Sequence, residues 1–320
     1  MNVSGVATEF ELFPNVIHEV HGHDWSCILE AYYLREFLAN IRVGAPEIFH
    51  SHRFLIMNRN SRWTQIDPPD SGDDVVLIWL GDEEGTIPHG LSRKFRLILK
   101  SYWPLSEAVG NMHPFPLCGS SAVLEKDTVP FEERKTGVFF SGNLNSNRVD
   151  FYRQFIPWGG FPTGNLPLLA RKLIARGLGT RLGRLLPRDF SASFPDSEIS
   201  FTGGFAQGYP PGEFAIRLAD SKIAICPPGF TSHETIRHYE AMSQGCVVIS
   251  SPLPPNPFYS GSPVIELKNW QLLRPLILNL IEDAESLGEI SRLTRSWWRN
   301  HCSPEALAQK ITLVLKKKSR

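Results

Sequence analysis

The sequence predicts an α/β protein built from two domains, each on a parallel sheet. Three observations predict it. The chain has 320 residues, and at roughly 150 residues per domain that length suits two. Short apolar runs alternate with helix-like stretches, the order expected of parallel strands covered by helices. Residues 125–136, EKDTVPFEERKT, are polar, charged and proline-containing between two apolar-rich halves, the composition of a domain boundary. We read an N-terminal domain over 1–130 and a C-terminal one over 131–320, with the final helical segment crossing back to the first.

The elements follow in chain order. A helix is expected over Trp25–Ala39. Asp74–Leu80 (DVVLIWL) reads as a strand buried on both faces, ending in the acidic turn Gly81-Asp82-Glu83-Glu84-Gly85. Further short apolar strands are expected at Val138–Ser141, Ile199–Thr202, Ile223–Cys226, Val247–Ser250 and Val264–Glu266. Helices between them are expected at Asn147–Phe155, Pro211–Asp220, Glu234–Gln244 and Leu272–Leu287. The stretch Leu287–Lys318 carries Trp297-Trp298 and reads as the returning helix.

Composition excludes several classes. With 42% hydrophobic and 21% charged residues, the chain is neither disordered, collagen-like nor a coiled coil. Thirty-three Lys and Arg balance thirty-three Asp and Glu, so the basic excess of a nucleic-acid binder is missing. An anionic ligand must then be met by a local cluster of positive charge. The five cysteines have no C-x-x-C and no close pairing, which fits a reducing compartment and neither a disulfide scaffold nor a structural zinc site. Cys226 and Cys246 lie in apolar runs and read as small buried hydrophobes. The first fifteen residues lack the basic start of a signal peptide. No apolar run approaches the roughly 18 to 20 residues that span a bilayer. The expected location is the cytoplasm.

Leu218–Pro257 carries most of the chemistry. A strand (IAIC) ends in Pro227-Pro228-Gly229, crosses a loop and meets a helix, the place where open parallel sheets bind ligands. Thr231 and Glu234 fit a T-x-x-E capping box, with Thr231 as N-cap, and Gly245 closes the helix. A helix N-terminus offers free N–H groups and partial positive charge to a phosphate or diphosphate. Glu234, Arg237 and Glu240 are three apart and form one polar stripe. Arg237 suits phosphate oxygens, and Glu240 suits the vicinal hydroxyls of a sugar. The alternative for this stripe is a solvated ion-pair ladder.

This segment resembles the donor-binding segment of exostosin-type glycosyltransferases. The pattern P-x-G followed by [ST]-x-R-x-x-E-A-x-x-x-G-C-x-V-I is matched here by Pro227 or Pro228, Gly229, Thr235, Arg237, Glu240, Ala241, Gly245, Cys246, Val248 and Ile249. Val138-Phe139-Phe140-Ser141-Gly142-Asn143 with Arg148 resembles the opening of that family's second domain, and residues 95–120 resemble the segment closing the first. The resemblance spans about residues 75–310 and is concentrated in 218–255. It implies two Rossmann-like domains facing across a cleft, the GT-B type. It implies an inverting, metal-independent transfer of sugar from a nucleotide-sugar donor to a hydroxyl of a glycan or glycoconjugate, with no cofactor. The implied donor-binding residues are Gly142, Asn143, Arg148, Gly229, Thr231, Ser232, His233, Thr235, Arg237 and Glu240. Family members of eukaryotes often carry an N-terminal membrane anchor, and none is read in this sequence.

An inverting transfer needs a base for the acceptor proton. Candidates are Asp82, Glu83 and Glu84 after the DVVLIWL strand, and His21, His23 and Asp24 in HGHDW; Glu234 is a further candidate catalytic carboxylate. HGHDW lacks the further ligands of a metal site, and no metal is expected. His233 is placed to touch the transferred sugar, and His238 reads as a structural histidine, partly exposed. Residues 168–188 hold six bases among leucines and no acid. They suit peripheral contact with an anionic membrane, or else short surface helices whose leucines face the core. Two other functions stay open: a non-catalytic nucleotide- or glycan-binding module, and a retaining transferase of the same fold.

Overall fold

The computed structural model describes residues 13, 15–18, 29–58, 70–85, 90–103, 110–156, 167–179, 187–204 and 207–318. The chain forms two compact units: residues 1–125, 254–260 and 298–320 make the first, and 126–253 and 261–297 the second.

The first unit carries β1 (Val16–His18), β2 (Arg53–Asn58), β3 (Gly72–Leu80), β4 (Phe95–Lys100) and β5 (Met112–Pro114). They form one sheet in the order β1-β2-β3-β4-β5, every pair parallel. Leu55, Leu77, Trp79 and Ile98 are wholly buried in its core, as strands covered on both faces require. Helix α1 (Ala31–Gly44) buries Leu34, Phe37, Leu38 and Ile41, and the short α2 (Pro46–Ser51) follows it. Tyr33 of α1 donates its hydroxyl hydrogen to the Cys302 carbonyl, tying α1 to the start of the C-terminal segment.

The second unit carries β6 (Thr136–Asn143), β7 (Ser197–Thr202), β8 (Ser221–Cys226), β9 (Val247–Ser250) and β10 (Ile265–Glu266). Its order is β10-β9-β8-β6-β7, again all parallel. From β6 the chain steps outward to β7, then returns to the other side of β6 for β8. The order therefore reverses between β6 and β8, and the carboxyl ends of those strands flank the crevice where such sheets bind ligands. Phe140, Phe151 and Phe201 interlock beneath that crevice, with ring centroids 4.8–5.4 Å apart.

Several expected elements shift. The helix predicted at Asn147–Phe155 is broken: a 3-10 turn over Ser146–Arg148, one turn of α-helix at Val149–Tyr152, and a second 3-10 turn. The long C-terminal helix is two, Ala284–His301 and Pro304–Lys318, because proline at 304 has no N–H to continue the first and is favoured at the start of the second. The domain boundary falls between Glu125 and Lys126, and the returning segment starts at Trp298. No described helix is long and apolar enough to cross a membrane.

Candidate active site

The site in the second unit grows from the ends of β6 and β8. After β6, Asn145 Oδ1 accepts the N–H groups of Asn147 and Arg148 at 2.9 and 3.1 Å. This cap turns the chain sharply and aims the Arg148 side chain back over the strand end. Arg148 Nε donates to the Pro228 carbonyl at 2.7 Å, and Nη1 donates to the Asn143 carbonyl at 2.9 Å and to Asn143 Oδ1 at 3.1 Å. Asn147 Nδ2 donates to the carbonyls of Gly229 and Phe230 at 3.0 and 2.8 Å. The turn after β6 thus clamps the loop after β8.

That loop folds on itself through a 2.8 Å bond from the Gly229 N–H to the Ser232 carbonyl. The bend delays the helix. The capping box expected at Thr231 and Glu234 is corrected: α7, the helix following β8, spans Ile236–Ser243, its N-cap is Thr235 and its N3 residue is His238. (Helices α3 to α6 are Ser121–Leu124, Val149–Tyr152, Leu168–Gly179 and Pro211–Ala219.) His238 Nδ1 lies 3.2 Å from the Thr235 backbone nitrogen and 3.1 Å from the Thr235 carbonyl oxygen, and Nε2 lies 2.7 Å from Ser250 Oγ. Burial pushes the His238 pKa down to about 4. His238 is a neutral structural residue, and fully buried where partial exposure was expected. Gly245, at φ +70°, closes α7 as expected.

Arg237 lies half-buried on the first turn of α7. Nη1 donates to the Ser141 carbonyl, and the guanidinium stands 5.0 Å from the Phe214 ring centroid. A Cβ added at Gly142 would meet Arg148 Nη1 at 3.1 Å and Arg237 Nη2 at 3.3 Å. Both guanidinium groups therefore converge on the bare backbone at the end of β6. Neither is hydrogen-bonded to a carboxylate among the described residues. Burial first, and then the Arg237 charge, lowers the Arg148 pKa to about 9. Burial also lowers Arg237, against the opposing charge of Glu240. Two desolvated cations side by side are unfavourable alone, and an anion between them relieves both penalties.

The other predicted residues fall as follows. Gly142, Asn143, Arg148, Gly229 and Arg237 are brought together. Thr235 caps α7, while Thr231 is exposed on the loop and Ser232 Oγ accepts the Glu234 N–H at 3.1 Å. His233 is exposed and its Nδ1 donates to the Pro252 carbonyl at 2.9 Å. Glu240 is buried one turn beyond Arg237, so the solvated ion-pair ladder does not form. Glu234 precedes the helix, is buried, and accepts the Tyr239 hydroxyl at 2.7 Å. That position withdraws it from proton transfer with solvent-borne substrate. Sequence reading missed Asn145 and Asn147; their only signal was asparagine repeated just past a strand end, where side-chain caps form turns.

In the first unit, Asp82 follows β3 and is corrected as the base. It is wholly buried, and Lys100 Nζ donates to its Oδ2 at 2.8 Å while lying 3.9 Å from the Trp79 ring centroid. A carboxylate sealed in an ion pair has no path to an acceptor proton. Glu83 is half-buried and Glu84 exposed on the same turn, which two glycines at positive φ, Gly81 and Gly85, allow to bend tightly. His21, His23 and Asp24 lie outside the described residues. Among the described residues no three His, Cys, Asp or Glu side chains group around a metal position.

Fold and site define a class: a protein of two parallel-sheet α/β units, the second of which brings two arginines together on Gly142 at its strand-order reversal. No family model matches the chain, and no curated protein matches it. Among solved structures it is similar to sucrose-phosphate synthase from Thermosynechococcus elongatus, at 11% identity and TM-score 0.49 over 94% of this chain and 98% of that one. It is similar to Anabaena HepE in complex with UDP, at 13% identity and TM-score 0.44 over 98% and 82% of the two chains. An α-glucosyltransferase in complex with UDP-glucose and DNA containing an abasic site gives 12% identity and TM-score 0.47 over 98% and 84%. At such identities no residue role passes from them to this chain.

Proposed function

We propose that this chain is a glycosyltransferase of the GT-B type that uses a nucleotide-sugar donor. The observation that carries the reading is the convergence of Arg148 and Arg237 on Gly142 with no carboxylate hydrogen-bonded to either. Two forked cations over bare backbone match the several oxygens of a diphosphate better than one phosphate. In the transfer, an acceptor hydroxyl oxygen bonds to the anomeric carbon as the bond from that carbon to the diphosphate oxygen breaks. The electron pair leaves with the diphosphate, whose growing charge the two arginines stabilise with no need of a metal. The hydroxyl proton passes to a base, for which Glu83 is the described candidate and His23 the other. Glu240 accepts hydrogen bonds from the ribose, and His233 and Thr231 sit toward the transferred sugar. We infer an inverting, exostosin-type enzyme acting on a glycan or glycoconjugate.

The test is to incubate the full chain with UDP-, GDP- and ADP-sugars and measure release of nucleoside diphosphate. Release from one of them, lost in Arg237→Ala, supports the reading. Tight binding with no release under any acceptor supports the non-catalytic module instead. Proton NMR of the product anomer separates inversion from retention.

A further inference from the structure

Helix α5 (Leu168–Gly179) turns an unusual face outward. Leu168, Leu169 and Leu173 are 58%, 71% and 61% exposed, and Lys172 and Arg176 are exposed with them. At about 100° per residue these five side chains fall within one arc of about 140°. The rest of the helix is occupied: Ile174, opposite that arc, and Ala175, at its edge beside Leu168, pack against the core of the second unit. Arg171 is held by Asp150 at 2.6 Å, and Arg153 reaches the same carboxylate at 3.3 Å. The helix is therefore anchored, and its leucines are not spare core residues facing inward as one sequence reading expected.

We propose that this face docks the protein on the surface of an anionic lipid bilayer. Three exposed leucines are an apolar patch that no described residue covers. Interleaved cations suit a surface that offers acyl chains and anionic headgroups at one level, because Lys and Arg bury their stems while their charged ends reach the headgroups. The charge of the whole segment agrees, since no acid lies between Asp150 and Asp189. A second copy of the chain fits worse. A two-fold contact sets a patch against itself, and would bring Lys172 and Arg176 against their own counterparts. The inference stands apart from the transferase reading.

The experiment is co-sedimentation of the full chain with vesicles of phosphatidylcholine, alone and mixed with phosphatidylglycerol. Binding is expected to the mixed vesicles and to weaken with added salt. Lys172→Glu/Arg176→Glu is expected to weaken it by well over fivefold, since each cation near an anionic surface is worth about fivefold. Leu169→Asp/Leu173→Asp is expected to remove it. Both variants are expected to keep the wild-type melting temperature, which separates lost docking from lost folding. Absence of sedimentation with mixed vesicles at low salt overturns the proposal, as does wild-type binding by both variants. So does a dimer on size exclusion that Leu169→Asp/Leu173→Asp dissociates while vesicle binding persists.

Discussion

Arg148 Nη1 and Arg237 Nη2 lie 3.1 and 3.3 Å from a single point, the place a Cβ would occupy on Gly142. One arginine comes from the turn after β6 and the other from the first turn of α7, so the two are joined only through the strand-order reversal. Their shared approach depends on a residue without a side chain. Gly142→Ala should push at least one guanidinium aside by a few tenths of an ångström. We expect nucleoside diphosphate affinity to fall several-fold with the melting temperature nearly unchanged, as calorimetric titration and thermal melting would read.

Planarity matters at this site as well as charge. Arg237→Lys keeps the cation but loses the fork that reaches the Ser141 carbonyl and a ligand together. Losing a charged hydrogen bond costs about 1.5–3 kcal/mol, which is roughly 10- to 150-fold in affinity. A lysine variant that binds as tightly as wild type would reduce the role of Arg237 to charge alone.

The Asp82–Lys100 pair and Glu83 should separate cleanly into stability and turnover. Breaking a buried pair from one side costs about 3–5 kcal/mol, so Asp82→Asn should lower the urea midpoint strongly. Replacing both partners, Asp82→Leu with Lys100→Met, should recover much of that loss. Glu83→Gln should leave stability and donor affinity intact and lower the turnover number. Full turnover in Glu83→Gln would remove it as the base and leave Glu84 and the HGHDW residues His21, His23 and Asp24 as candidates.

His238 predicts a pH dependence. Its folded pKa is held near 4, below an ordinary 6.5, so the unfolded chain takes up its proton first as pH falls. The stability from burying a neutral ring is complete above about 6.5 and is lost progressively down to about 4, up to about 3 kcal/mol in all. Urea midpoints between pH 7 and pH 4 should fall less steeply in His238→Gln. Parallel slopes in the two proteins would contradict the assignment.

Much of the second unit was legible in the sequence. IAIC and VVIS are short apolar runs of strand length, and both are strands buried on both faces; Gly245 ends α7 where a left-handed residue was expected. The order of the strands was not legible: nothing in the residues of β6 says that it pairs with both β7 and β8, yet that pairing makes the crevice. The N-cap was misplaced because Thr231 and Thr235 both precede suitable N3 residues, and only the bend held by Asn147 chooses between them. Lys100 ends the strand FRLILK and looks like a solvated terminus; its burial against Asp82 depends on β3 and β4 being neighbours. In α5 the spacing of leucines identifies a helix but not which way it turns, and the side taken by Ile174 and Ala175 decides that.

The most direct measurement is a thermal-shift titration of the full chain with UDP, GDP, ADP and inorganic pyrophosphate, repeated on Arg148→Ala and Arg237→Ala. A ligand that binds only the folded state raises the melting temperature with concentration. The paired-arginine site predicts a rise with one nucleoside diphosphate that disappears in both variants. No rise with any of the four, or a rise unchanged in both variants, would contradict it.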